Sequence, residues 1–143
     1  MELILSGAWS SKGQLEFLTG DDPRTHRIEF SDVVLPHTSD RDSVSLIEVD
    51  TVDNLLGTAA PAHIDYAEIT VNGVELEVLK GMEVTLPKVR RIFVAGMMRH
   101  SDGTALNNEV ANFLTDQGFV TTITSEGNKI DGWGAIDLSL IHI

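Results

Sequence analysis

Residues 64–82 read IDYAEITVNGVELEVLKGM, and their order decides the fold. Ile64 to Thr70 set apolar residues at alternate positions and in a cluster, the pattern of a strand. Asn72-Gly73 favours a turn. Beyond it, Val74, Leu76, Val78, Leu79 and Met82 fall on one helix, with Gly81 near its end and Pro87 closing the segment. The expected local order is strand, turn, helix.

Toward the C-terminus, Arg91 to Gly96 (RIFVAG) is a short apolar run bounded closely by charge and glycine, which suits a buried parallel strand. Leu106, Val110, Phe113 and Leu114 then recur at spacings of four, three and one, one apolar helix face within Thr104 to Gln117 that ends at Gly118. Phe119 to Gly127 and Gly132 to Leu138 read as two closing strands joined by a polar Gly-Asn turn.

Toward the N-terminus the chain is β-rich, with strands expected near Met1 to Leu5, Gln14 to Leu18, His26 to Phe30 and Val44 to Val49. Lys12-Gly13 and Gly20 to Pro23 are the turns between them. Asp50 to Gly57 (DTVDNLLG) reads as a short helix, started by Asp50 or Thr51 and ended by Gly57. The class is α/β, with right-handed crossovers and a mostly parallel sheet that has an antiparallel pair at its end. Ligands gather beyond the carboxyl ends of strands in such sheets, which places chemistry just after Thr70 and just after Ala95. No internal repeat, low-complexity tract or linker divides the chain.

The composition narrows the function. The 143 residues, 42% hydrophobic and 22% charged, fit one globular domain with a real core. No apolar run approaches the ~20 residues of a bilayer span, and the N-terminus lacks the basic start and apolar stretch of a signal peptide, so a cytoplasmic location is expected. The absence of cysteine excludes disulfides, thiolate nucleophiles and Cys-ligated metal sites. A net charge of −12 repels phosphate backbones and anionic lipid, so neither nucleic acid nor membrane is an expected partner. Twelve Asp against four Lys suits a halophilic source, where salt screens self-repulsion; an ordinary acidic protein also fits.

His26, His37, His63, His100 and His142 show no paired metal-ligand spacing, and no metal site is expected. His100-Ser101-Asp102 lacks a nucleophile elbow and reads as one loop. Asp21-Asp22 and Asp40-Arg41-Asp42 are accounted for by turn chemistry and solubility.

The ordered set VDTVDNLL, IDYAEITVNGVELEVLKGM, VRRIFVAG and a helix closing in DQGF resembles the C-terminal part of the FkbM family of methyltransferases. That family has a Thr-Leu-Asp-like segment, a strand reading roughly Lys-Ile-Asp-Val-Glu-Gly-Ala-Glu, a helix reading Leu-Glu-Val-Leu-Lys-Gly, and a further apolar strand. The upstream GAWSSKGQLEF is similar to the family's small-residue turn and β-hairpin. The resemblance implies a partial Rossmann-like methyltransferase fold with a hairpin insertion, and methyl transfer from S-adenosylmethionine to the oxygen of a small-molecule or glycan hydroxyl. It also implies that the family's first strands, with their glycine-rich turn and ribose-holding acidic residue, are missing. Gly7, Gly13 and Gly20 make no G-x-G-x-x-G run.

Within the retained motif, Thr70 stands where the family has Asp, Asn72 where it has Glu, and Ala95 where the next strand is acidic. Gly73, Glu75, Leu76, Leu79, Lys80 and Gly81 keep the expected types. Thr and Asn hydrogen-bond a ligand but cannot serve as a carboxylate base. The resemblance therefore points to Thr70, Asn72 and Glu75 as catalytic-cleft residues and to Ala8 and Trp9 as the cofactor side. It predicts a fragment inactive alone, the alternative being a non-catalytic binding or structural module. Leu138 to Ile143 (LSLIHI) match the translation of a sequencing-library adaptor and are expected to be a non-native tail on a domain of residues 1–137, although their alternation would also permit a terminal strand. A sheet lacking its first strands would expose an edge prone to self-association.

Overall fold

A computed structural model describes residues 6–20, 27–28, 33–34, 43–71, 73–95, 99–100, 105–124 and 129–134. In chain order they form β1 (Gly7–Ala8), β2 (Gly13–Thr19), β3 (Arg27–Ile28), β4 (Val33–Val34), β5 (Ser43–Asp50), α1 (Val52–Leu56), β6 (Ile64–Thr70) and α2 (Glu75–Lys80). They continue with β7 (Val89–Ala95), β8 (Arg99–His100), α3 (Leu106–Asp116), β9 (Val120–Ile123) and β10 (Lys129–Trp133). Two four-stranded sheets carry the fold, in the orders β1-β5-β2-β3 and β6-β7-β10-β9, while β4 pairs with β8.

The α/β class stands, but the sheets are mixed rather than mostly parallel. Among the described residues, parallel pairing is confined to β1 with β5 and β6 with β7, and β10 runs antiparallel to both its neighbours. β9 thus shares the direction of β6 and β7, yet β10 separates it from them. The short connection between β9 and β10 explains this, since a hairpin needs only a few residues whereas a parallel neighbour needs a crossover.

β6 spans the seven residues read as a strand. The second closing strand instead begins at Lys129, and Gly132 lies within it rather than at its start. A Cβ on Gly132 would meet Ile92 Cγ2 at 2.9 Å, so packing against β7 explains a glycine in mid-strand. Met1 to Leu5 and Leu138 to Ile143 lie outside the described residues.

One face of the β6-β7-β10-β9 sheet forms the core. Ile69, Ile92, Val94 and Ile130 pack with Val78 and Leu79 of α2 and Val110 and Leu114 of α3. The helices follow from capping as well as burial. Thr51 Oγ1 accepts the Asn54 N–H at 3.0 Å and starts α1, and Gly118, at φ 90°, releases the chain after α3. On the opposite sheet face, Tyr66, Arg91 and Trp133 stand in register across β6, β7 and β10. Arg91 lies 4.7 Å from the Trp133 ring centroid and holds Asp131 through two hydrogen bonds of 3.0 and 2.8 Å.

A second cluster of Trp9, Val49 and Val74 joins the two sheets. Gly81 makes the junction close: its Cβ, if present, would sit 2.1 Å from the Trp9 carbonyl oxygen. Asp53 fastens α1 to the turn after α2, its carboxylate accepting the N–H groups of Val84 at 2.7 Å and Thr85 at 2.8 Å. Ser10 donates to Glu77 at 2.6 Å, a further tie across the junction.

Candidate functional site

The carboxyl ends of β1 and β6 open onto one cavity of about 660 Å³. β1 contributes Gly7 and Ala8, the neighbouring strands Phe17, Ile28 and Ile47, and α1 its first residue, Val52. The facing wall is Ala67 to Val71 of β6 and the chain beyond it, with Val74, Val78 and Met82 from the α2 segment. This is the crevice position where α/β sheets bind ligands.

Thr70 and Ala8, expected at the site from sequence, both line this cavity. Thr70 is exposed, stands in register with Ala95, and donates its hydroxyl to Glu68 Oε1 at 3.2 Å. Glu68 is the one carboxylate among the described lining residues, and sequence reading passed over it. The signal was available, because strand alternation puts Glu68 two residues before Thr70 on the same face.

Trp9 and Glu75 are placed elsewhere. Trp9 is buried against Val49 and Val74 and does not line the cavity. Glu75 is fully buried, folded back on the turn before α2, where its Oε1 accepts the Gly73 N–H at 3.2 Å. Gly73 takes φ 84°, a conformation that makes this fold-back available. Glu75 Oε2 is buried with no hydrogen-bond partner, and burial pushes the carboxyl up to about 7. Asn72 lies outside the described residues.

S-adenosylmethionine carries an ammonium, a carboxylate, a ribose diol and an adenine. The described walls offer it one carboxylate and one hydroxyl, already bonded to each other, and are otherwise apolar. They do not fit the polar ends of the cofactor. Among the described residues, no group of three His, Cys, Asp or Glu side chains could hold a metal ion, and no helix is long and apolar enough to cross a membrane.

Comparison with curated proteins and with solved structures returns no match. The family profile described as the methyltransferase FkbM domain matches residues 2–121, a span containing β1 to β8, both helices of the junction, α3 and the cavity walls. The mixed α/β architecture and this match agree, and the chain belongs to the FkbM methyltransferase family.

Proposed function

We propose that the chain forms the acceptor side of an S-adenosylmethionine-dependent O-methyltransferase site, acting on a small-molecule or glycan hydroxyl, and that it transfers no methyl group by itself. The carrying observation is the cavity at the ends of β1 and β6, where Ala8 and Thr70 converge and Glu68 supplies the one carboxylate among the described lining residues. In this reading the apolar walls hold the carbon skeleton of the acceptor, and its hydroxyl donates to Glu68 or exchanges hydrogen bonds with Thr70. A sulfonium donor held by residues outside these walls would supply the methyl group, and the wall residues would only hold the acceptor oxygen. Holding the oxygen in line is the contribution open to these residues, and positioning of this kind carries much of the rate of a group transfer.

A second reading, a binding module without catalysis, is favoured by the apolar walls and by Thr70 standing where the family has a carboxylate. Titration calorimetry with S-adenosylmethionine separates the two. The native chain is expected to give no binding heat at ~1 mM cofactor and no transfer of labelled methyl. Thr70→Asp combined with Asn72→Glu is expected to tighten binding at least tenfold, into a measurable range. No gain in the double variant overturns the methyltransferase reading and leaves the binding module.

A further inference from the structure

The turn between β6 and α2 belongs to the cavity wall, since Val71 on its β6 side and Val74 on its α2 side both line the cavity. Val74 is buried with Trp9 and Val49, and Val71 packs against that cluster and against the core of the β6-β7-β10-β9 sheet. Beneath the turn lies one carboxyl. Glu75, the first residue of α2, returns its Oε1 to the Gly73 N–H at 3.2 Å, and the same N–H lies 3.2 Å from the Val71 carbonyl oxygen. Gly73 reaches φ 84° without strain, so the bend is set by what holds it rather than by its own torsions.

A carboxyl in this place has two states with opposite demands. Neutral, it tolerates burial, and its carbonyl oxygen accepts from Gly73. Ionised, it leaves Oε2 sealed from water without a partner, and a buried charge of that kind either takes up a proton or moves to solvent. The N–H groups of Gly73 and of Glu75 itself favour the ionised form, but burial outweighs them and pushes the carboxyl up to about 7, which sets the choice near neutrality.

The charges on the surrounding elements are occupied elsewhere or face water. Asp65, Tyr66 and Glu68 of β6 are exposed, and Asp53 of α1 holds the N–H groups of Val84 and Thr85. Glu77 and Lys80 of α2 pair with each other, Glu83 beyond them is exposed, and α3 carries Glu109 half-buried and Asp116 exposed. None of these is a cause of the shift at Glu75.

We propose that Glu75 is a latch on the cavity wall: with its proton it stays beneath the turn and keeps Val71 and Val74 in place, and on losing that proton it leaves for water, releases the Gly73 N–H and lets the wall open. The cavity is then firm in mild acid and loosened above neutrality. As regulation of the proposed acceptor cavity the latch rests on that reading, yet it involves neither methyl donor nor acceptor, so the two fail separately.

Amide exchange of the native chain, followed by NMR at pH 5.5 and pH 8, tests the latch without a variant. At pH 8 the Gly73 amide is expected to exchange within about tenfold of the rate of an unstructured chain, while the amides of Ile92 and Leu114 in the core stay at least about a hundredfold slower. At pH 5.5 protection at Gly73 is expected to be at least about tenfold higher than at pH 8. Glu75→Gln keeps an acceptor for Gly73 and cannot ionise, so its Gly73 protection is expected to be the same at both pH values; the comparison within the native chain stands whether or not this variant folds. The neutral dye N-phenyl-1-naphthylamine reads the wall itself, and its binding to the native chain is expected to weaken at least about fivefold from pH 5.5 to pH 8. Protection at Gly73 that holds or rises at pH 8 would mean that the carboxylate stays in place, and overturns the proposal. So does equal loss at Ile92 and Leu114, which is unfolding of the whole chain, or the same pH dependence in a folded Glu75→Gln. Dye binding that is absent, or unchanged between the two pH values, overturns the link between the turn and the cavity.

Discussion

Burial of the Glu75 carboxyl beneath the turn between β6 and α2 ties stability to pH. Its proton is held more tightly in the fold, with a value of about 7, than in the unfolded chain, where a glutamate titrates near 4.5. The stabilisation from the neutral form is therefore fully present below about pH 4.5 and is lost as pH rises to about 7, a span worth about 3 kcal/mol. Glu77 works in the opposite sense: burial pushes its carboxyl up, but hydrogen bonds from Lys80 and Ser10 outweigh this and hold it below the usual range. Its contribution is present above its unfolded value and is lost in acid, so the two windows separate. Urea midpoints at pH 4.5 and pH 8 should differ for the native chain, with the lower pH more stable, and Glu75→Gln should remove most of that difference. Parallel profiles for the two proteins would show that Glu75 is not the group responsible.

At the scale of elements, the junction of α1, the α2 turn and the segment after β1 depends on the missing side chain of Gly81. A methyl group there meets a backbone oxygen rather than a yielding side chain, so Gly81→Ala should destabilise the chain by roughly 3 kcal/mol, measured by urea unfolding. A loss below about 0.5 kcal/mol, the range of an ordinary surface change, would mean that the junction opens without cost. Local pattern made β6, α3 and the cap at Thr51 legible in the sequence, because alternation, helical spacing and capping chemistry each act within a few neighbours. Gly81 was legible only as a helix end, since the oxygen it admits belongs to Trp9, seventy-two residues earlier. The start of β10 was misplaced for the same reason: Gly132 looks like a strand boundary until Ile92 is set beside it. Ala8 and Thr70 end strands that open onto the cavity, whereas Trp9 and Glu75 lie away from it, because burial against a second sheet or beneath a turn leaves no mark at one position.

For the whole molecule, 22 acidic residues against 10 basic ones spread self-repulsion across the surface. Some basic groups are engaged locally: Arg91 by Asp131, and Lys80 by Glu77. Screening should therefore strengthen the fold, with 1 M sodium chloride raising stability over 0.02 M by about 1–2 kcal/mol, or roughly 5 °C in Tm. A flat or falling Tm over that range would show that the charge is tolerated without salt. The two indoles sit in contrasting surroundings on the two sheets, Trp9 sealed in the junction and Trp133 half-open beneath a guanidinium. One chain thus carries two intrinsic fluorophores of different colour and accessibility, so loosening of the junction and loosening of the β6-β7-β10-β9 sheet can be followed separately without any label.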